Sequence, residues 1–233
     1  MIKSRAVLAG SLLAFAGIAS ADITVTPALV SDYDFRGISQ TKEDPALQLG
    51  LNYSHESGFY AGLWGSNVDF GPGDPSVEVD VFAGFAGGDA EESVGYDLGA
   101  VYYTYPSAGS LKYLEAYAGI SKGWFSGKLW YSPDFGGKST AGHTSGLYTE
   151  ANGAFPLPHD FSFVVHAGYS FGDYWDDIEY FDWSAGFSRT FNNFAVSLKY
   201  VDGSDLPDFG SKVFSTDSKV LLSISTTLPW KSE

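Results

Sequence analysis

The sequence contains no cysteine and few basic residues for its length. None of its 233 residues is a cysteine, so the fold does not depend on disulfides. Lysine and arginine together number 13 against 28 acidic residues, which gives a formal net charge of −15. A chain this acidic is repelled by phosphate backbones, and we therefore exclude nucleic acid as a partner.

After residue 21 the sequence also lacks long hydrophobic runs. No later stretch approaches the ~20 consecutive apolar residues that a membrane-crossing helix requires, which excludes a helical membrane protein. The one apolar run, residues 6–18, follows Lys3 and Arg5 and precedes the small-residue cleavage pattern Ala19-Ser20-Ala21. We therefore expect residues 1–21 to be a signal peptide that is cleaved after Ala21, and residues 22–233 to form one domain.

What the sequence contains instead is alternation with a period of two. In residues 46–55, Leu47, Leu49 and Leu51 alternate with polar or small residues, which places the leucines on one face of a strand. Twelve runs of strand length occur in the mature chain, at residues 23–35, 46–55, 59–68, 77–87, 94–105, 112–121, 125–132, 145–155, 161–171, 180–189, 194–201 and 219–230. The pattern predicts an all-β fold whose strands have one apolar and one polar face.

The connections between these runs alternate in length. Those after even-numbered runs are mostly tight turns, such as residues 55–58 and 122–124, whereas those after odd-numbered runs are generally longer, such as residues 36–45 and 202–218. Short turns at one end and long loops at the other are typical of an up-and-down outer-membrane barrel. A secreted β-sandwich would give no reason for this segregation. The sequence therefore predicts a transmembrane antiparallel β-barrel, with twelve strands.

Three segments carry a family resemblance: SDYDFRGISQT from Ser31, DPALQLGLNYSHESGFYAGLWGSNVDF from Asp44, and residues 79–85. They resemble the opening of the TorF-type porins of proteobacteria, the Gcw_chp family, over about the first third of the mature chain. The resemblance implies a barrel in the bacterial outer membrane, in contact with lipid and lipopolysaccharide. Trp230 resembles the terminal aromatic residue of such barrels, which implies the barrel-assembly machinery as a partner during biogenesis.

Strand parity also predicts which charged residues face the barrel interior. The predicted pore-lining residues are Glu78, Asp80, Asp97, Glu115, Lys128, Glu150, His166, Asp182 and Lys199. A soluble barrel would fill its inside with apolar side chains, so these charges indicate a wet interior or one cross-linked by ion pairs. Acids outnumber lysines in this set, and an acidic lining favours cations in a narrow aqueous path. We therefore expect a porin-like channel for small cationic or neutral hydrophilic solutes.

A plugged structural or adhesin-type barrel is the first alternative, with its function in the outer loops. Those loops are rich in acids, and the residues predicted there are Asp173, Asp176, Asp177, Glu179, Asp202, Asp205 and Asp208. Clustered carboxylates are suited to Ca²⁺ or Mg²⁺, but no segment completes a calcium-loop pattern, so solvated loops are the preferred interpretation.

An outer-membrane hydrolase is the second alternative. Hydrolysis would require a serine hydroxyl beside a histidine that is itself oriented by a third group. His143, close to Ser139 and Ser145, and the inward-facing His166 are the candidates, and no G-x-S-x-G motif accompanies them. We therefore predict that the protein is not an enzyme, and the sequence shows no cofactor motif.

Overall fold

A computed structural model describes residues 22–71, 73, 75–137 and 144–230. The predicted signal peptide, residues 1–21, and the hydrolase candidate His143 lie outside the described residues. Within the described residues, twelve strands form one closed antiparallel barrel, and a short two-stranded hairpin is separate from it. The barrel strands are β1 (Asp22–Val30), β4 (Ala46–Ser54), β5 (Phe59–Asn67), β6 (Val77–Gly88), β7 (Gly95–Thr104), β8 (Tyr113–Lys122), β9 (Phe125–Ser132), β10 (Gly146–Pro156), β11 (Phe161–Phe171), β12 (Tyr180–Phe191), β13 (Phe194–Ser204) and β14 (Lys219–Thr226). The hairpin strands are β2 (Asp34–Phe35) and β3 (Ile38–Ser39).

The barrel is apolar on its outside and polar on its inside. In β4, Leu47 is 67% exposed and Leu49 53%, whereas Asn52 on the opposite face is buried. Backbone groups in a closed barrel are satisfied between strands, so such a surface can face hydrocarbon without open edges. No helix in the described part of the chain is long and apolar enough to cross a membrane. The predicted barrel of twelve antiparallel strands is confirmed.

The connections segregate by length as the sequence predicted. At one end, which we call the short-turn end, the connections are residues 55–58, 89–94, 123–124, 157–160 and 192–193. At the other, the long-loop end, they are residues 31–45, 68–76, 105–112, 133–145, 172–179 and 205–218. The chain enters β1 and leaves β14 at the short-turn end.

The first predicted run, residues 23–35, is not one strand. β1 ends at Val30, and the chain then turns into the barrel as the β2–β3 hairpin. Arg36 and Gly37 adopt positive φ angles of 54° and 82° at its tip, and the amide of Gly37 donates a hydrogen bond to the Asp34 side chain at 3.0 Å. A left-handed pair closes a tight turn of this kind, and the glycine adopts it without steric cost. The segment predicted to be an outward loop from residue 36 therefore begins inside the barrel.

Two aromatic residues at the end of the first predicted run, Tyr33 and Phe35, also lie inside the barrel. The ring of Tyr33 packs edge-on against Trp64, with centroids 5.2 Å apart, and Phe35 packs against Tyr103 at 6.0 Å. Both rings belong to the packed interior, because the hairpin that carries them has left the barrel wall.

Candidate functional site

The inward-facing charged residues form the candidate functional site. The structure places all nine predicted residues on the inner face of their strands. Five acids lie in the half nearer the long loops and are buried: Glu78, Asp80, Glu115, Glu150 and Asp182. Asp97 lies near the start of β7, in the half nearer the short turns, whereas Lys128 lies midway along β9, opposite Glu150 of β10; both side chains remain partly exposed. The interior is therefore strongly acidic in one half and mixed in the other.

The β2–β3 hairpin fills the acidic half and brings a cation into it. The guanidinium of Arg36 donates two hydrogen bonds to Glu115, from Nη1 to Oε1 at 3.0 Å and from Nη2 to Oε2 at 2.8 Å. The carboxylate of Glu115 also accepts a bond from the Tyr103 hydroxyl at 3.0 Å, and Glu115 has no exposed surface. A bidentate pair of this kind is stronger and more directional than a single hydrogen bond between neutral groups.

Aromatic rings surround the guanidinium of Arg36. Its Cζ atom lies 4.2 Å from the ring centroid of Tyr148, 5.7 Å from that of Trp130 and 5.8 Å from that of Phe135. A cation over aromatic faces is attracted by the ring quadrupoles, and more strongly where water is excluded. We call Tyr103, Glu115, Trp130, Phe135 and Tyr148 together the Arg36 cage.

Sequence reasoning missed Arg36, because it counted the residue as the first of an outward loop. The available signal was local: a run of aromatic and acidic residues, DYDF, leads directly into Arg36-Gly37. Glycine after a bulky residue indicates a tight turn, and an aromatic-rich tight turn is poorly suited to solvent. Nothing in the sequence indicated its partner 79 residues away.

The base of the hairpin is held by a second ion pair. The ammonium group of Lys219 lies 3.1 Å from Oδ2 of Asp32 and 3.2 Å from Oδ1 of Asp34. The other oxygen of Asp32 accepts hydrogen bonds from the hydroxyls of Ser39 at 2.6 Å and Thr41 at 2.9 Å. Both arms of the hairpin are thus tied to one carboxylate.

The rest of the first long loop is attached to neighbouring loops near the surface. Lys42 pairs with Asp69 at 2.6 Å, and this hydrogen bond lowers the pKa of the Asp69 carboxyl. Glu43 accepts a hydrogen bond from the hydroxyl of Ser215 at 2.6 Å, which lowers the pKa of Glu43 with a further contribution from Lys212. These contacts fix the outer part of the loop over the barrel mouth.

His166 lies on the inner wall between polar partners. Its Nδ1 is 2.8 Å from the side-chain oxygen of Asn152, and its Nε2 is 3.0 Å from both Asp182 and the Tyr148 hydroxyl. In the described residues these hydrogen bonds involve no serine or threonine hydroxyl, although Ser184 of β12 is the cross-strand partner of His166. Its bonds to Tyr148 and Asp182 instead connect it to the Arg36 cage.

The half nearer the short turns contains a smaller charged cluster. Lys128 pairs with Asp97 at 2.7 Å, and its ammonium group lies 4.4 Å from the ring centroid of Tyr117. The hydroxyl of Tyr60 bonds to both Asp97 and the Tyr117 hydroxyl. This cluster therefore links β5, β7, β8 and β9 across the inner face of the barrel.

Comparison with known proteins identifies the family. Residues 16–228 match Gcw_chp, described as a bacterial protein of unknown function. The chain belongs to the Gcw_chp family. This confirms the family resemblance found in the first third of the mature chain, and no curated protein sequence matches the chain.

Solved porin structures share the fold of this Gcw_chp protein. The KdgM porin aligns with a TM-score of 0.56 and 9% identity, over 90% of this chain and 99% of that chain. A KdgM porin in complex with disordered oligogalacturonate gives 0.54 and 10%, over 91% and 99% of the two chains, and the NanC porin gives 0.54 and 10%, over 88% and 98%. At these identities the likeness is one of fold: the Gcw_chp chain shares the barrel fold of these porins.

The predicted acidic loops of the Gcw_chp barrel are only partly as expected. Asp173, Asp176, Asp177 and Glu179 lie in the connection 172–179, and Asp205 and Asp208 lie in the connection 205–218. Asp202 was wrongly assigned to a loop: it lies in β13, because the pairing with β12 continues to Phe181 and Ser204. Within the described ranges, no group of three or more histidine, aspartate or glutamate side chains is arranged to hold a metal ion.

Proposed function

We propose that this protein is a porin-like channel of the bacterial outer membrane, for small hydrophilic solutes that are cationic or neutral. The observation that carries the proposal is the inverted barrel: an apolar exterior around a polar interior in which carboxylates outnumber basic groups. An acidic lining lowers the energy of a cation in a narrow path and raises that of an anion.

The segregation of the connections supports an orientation. In outer-membrane barrels the short turns face the periplasm and the long loops face outward, with both chain termini on the periplasmic side. The β2–β3 hairpin would then narrow the extracellular half, and the pair Asp97–Lys128 would face periplasmic solvent. Outer-membrane lipid and lipopolysaccharide would surround the barrel, and the barrel-assembly machinery would insert it after removal of residues 1–21.

The acidic interior favours a solute unlike the one that a porin of the same fold binds. One KdgM porin structure is a complex with oligogalacturonate, an acidic oligosaccharide. In the present chain Glu78, Asp80 and Glu115 are buried in the half of the barrel nearer the long loops, where Arg36 and Lys219 are already paired with Glu115 and with Asp32 and Asp34. We therefore propose a solute of the opposite charge or of none.

The second candidate function is a plugged barrel with a structural or adhesive role. The inward hairpin favours it, because Arg36 and Phe35 occupy space that a solute would need. The two candidates differ in one respect: a channel must open on a path past the hairpin, whereas a plug need not.

Single-channel recording in a planar bilayer under a salt gradient tests the proposal. We expect steady current steps with a reversal potential that favours cations. A variant in which residues 34–39 are replaced by a glycine–serine linker should conduct more and keep the preference for cations. A folded, heat-modifiable barrel that conducts nothing in either form would overturn the channel and leave the plugged barrel.

A further inference from the structure

The Arg36 cage has the composition of a binding site for a guanidinium group, and the chain supplies its own occupant. We propose that a solute carrying a guanidinium group binds this cage in place of Arg36 and so releases the β2–β3 hairpin from the barrel interior. The inference rests on the proposed channel function, because it names the class of solute that opens the channel.

The cage belongs to the barrel rather than to the hairpin. Tyr103, Glu115, Trp130 and Tyr148 lie on the adjacent strands β7, β8, β9 and β10, and Phe135 follows β9 directly. Departure of Arg36 therefore leaves the acid and its surrounding rings in place. Of the rings around the guanidinium, Phe35 is the one that would leave with the hairpin.

The rings of the cage are also fixed by contacts that do not involve Arg36. The indole nitrogen of Trp130 donates to Glu150 at 3.0 Å, and the hydroxyl of Tyr148 donates to Asp182 at 3.1 Å. A site held in its bound geometry by such contacts loses little conformational entropy when a ligand enters. The cage is therefore prepared for a second guanidinium.

Glu115 makes an empty cage costly. Its carboxylate has no exposed surface, and Arg36 is its salt-bridge partner. A buried charge left without its partner destabilises a protein strongly. Exchange of one guanidinium for another retains the pair, whereas simple withdrawal of Arg36 does not, so the hairpin should leave most readily when a cation replaces it.

The hairpin is suited to leave because it is not part of the barrel sheet. β2 and β3 pair only with each other in the described residues, through Asp34 with Ser39 and Phe35 with Ile38. One backbone bond, from Ser39 to Ser215 at 2.8 Å, joins the hairpin to another long loop. Side-chain contacts otherwise hold it: those of Arg36 with the cage at its tip and those of Asp32 and Asp34 with Lys219 at its base.

Calorimetric titration of detergent-solubilised protein with methylguanidinium tests the cage directly. Methylurea has nearly the same shape without the charge and is the matched control. We expect Arg36→Ala to bind methylguanidinium saturably. Wild type should bind it more weakly by a factor of at least about ten, because the tethered Arg36 competes at an effective concentration in the millimolar range. The double variant Arg36→Ala with Glu115→Gln should bind neither compound.

A second variant and a second measurement guard against misfolding. Arg36→Gln removes the cation from the cage and keeps a polar side chain at that position. Arg189→Ala is the control for loss of an arginine elsewhere, because Arg189 packs against Phe161 and Phe191 away from the cage.

The second measurement follows the hairpin itself. Because the chain has no cysteine, Ile38→Cys places a single thiol on the buried hairpin. Methylguanidinium should speed the modification of this thiol by a thiol reagent.

The outcomes separate the inference from the function on which it rests. Folded Arg36 variants that fail to bind methylguanidinium, or that bind methylurea equally well, would overturn the cage. Binding without conductance in any variant would overturn the channel and leave the cage. Conductance that methylguanidinium does not increase in wild type would overturn the release of the hairpin.

Discussion

The ammonium group of Lys219 lies 3.1 Å from Oδ2 of Asp32, and both side chains are almost completely buried. Lys219 is the first residue of β14, the last strand of the barrel, and Asp32 lies just beyond the end of β1, the first strand. This pair therefore ties the base of the inward hairpin to the two ends of the barrel sheet. Its loss should affect the hairpin and the barrel together.

Replacement of Lys219 by alanine should destabilise the protein markedly. Asp32 and Asp34 would remain buried without their cation, and breaking a buried pair on one side typically costs about 3–5 kcal/mol of unfolding free energy. Urea unfolding in detergent micelles measures the change. Lys212→Ala is the control: Lys212 also pairs with a carboxylate, but its side chain is 76% exposed, so we expect a loss below about 1 kcal/mol. Equal losses in both variants would contradict the role given to Lys219.

A methyl group at Gly168 should loosen the Arg36 cage. The Cβ of an alanine there would overlap the hydroxyl and ring of Tyr148, which would have to move away from Arg36 and Asp182. Overpacking of this kind costs about 1–3 kcal/mol, and thiol modification of Ile38→Cys should become faster. Gly109→Ala is the matched control, since nothing lies within 4 Å of the added methyl group. Unchanged modification in Gly168→Ala would show that Tyr148 does not hold the hairpin.

The accessible pair of charges near the short turns should tune ion selectivity in opposite directions. Asp97→Asn removes a partly exposed carboxylate and leaves Lys128 unneutralised, so the preference for cations should fall. Lys128→Gln leaves Asp97 unneutralised, so the preference should rise. Reversal potentials under a salt gradient measure both. Shifts of the same sign would contradict the opposite effects expected here, and unchanged reversal potentials would mean that neither residue lies on the ion path.

Acid should weaken the attachment of the first long loop. The folded protein lowers the pKa of Asp69 through the hydrogen bond from Lys42, and that of Glu43 through the bond from Ser215. A lowered pKa contributes stability that is present above the unfolded value, about 3.9 for aspartate and 4.3 for glutamate, and is lost as the pH falls through the folded value. Unfolding free energy should therefore fall below about pH 4, and less steeply in Asp69→Asn with Glu43→Gln. An identical slope in wild type and variant would refute this contribution.

The barrel could be predicted from the sequence because its signals are local. Leu47, Leu49 and Leu51 alternate with inward-facing residues, and this pattern depends only on the sequence of their own strand. In the same way, strand parity alone places Glu115 and Asp182 inside the barrel. The strand count and the segregation of loop lengths follow from the same alternation, and the structure confirms them.

The position of the hairpin could not be predicted in this way, because no periodic pattern records where a loop goes. Alternation continues through Tyr33 and Phe35 and so extends the first strand too far, whereas the chain bends inward after Val30. The partners that hold it, Glu115 and Lys219, are distant in sequence. The alternation along each strand predicted the residues that line the barrel wall at the candidate site. The ion pairs between the hairpin and residues distant in sequence decide what occupies the space inside that wall.

The seam between β1 and β14 has a consequence for the order of assembly. These strands pair through Val30 with Ser223 and the two neighbouring residue pairs, and Val25 bridges Leu228 towards the short turns. Lys219, at the other end of the seam, is 187 residues from Asp32, so the hairpin gains this anchor only after the last strand has been synthesised and closed against the first. Formation of the Asp32–Lys219 pair would therefore be a step that marks closure of the barrel.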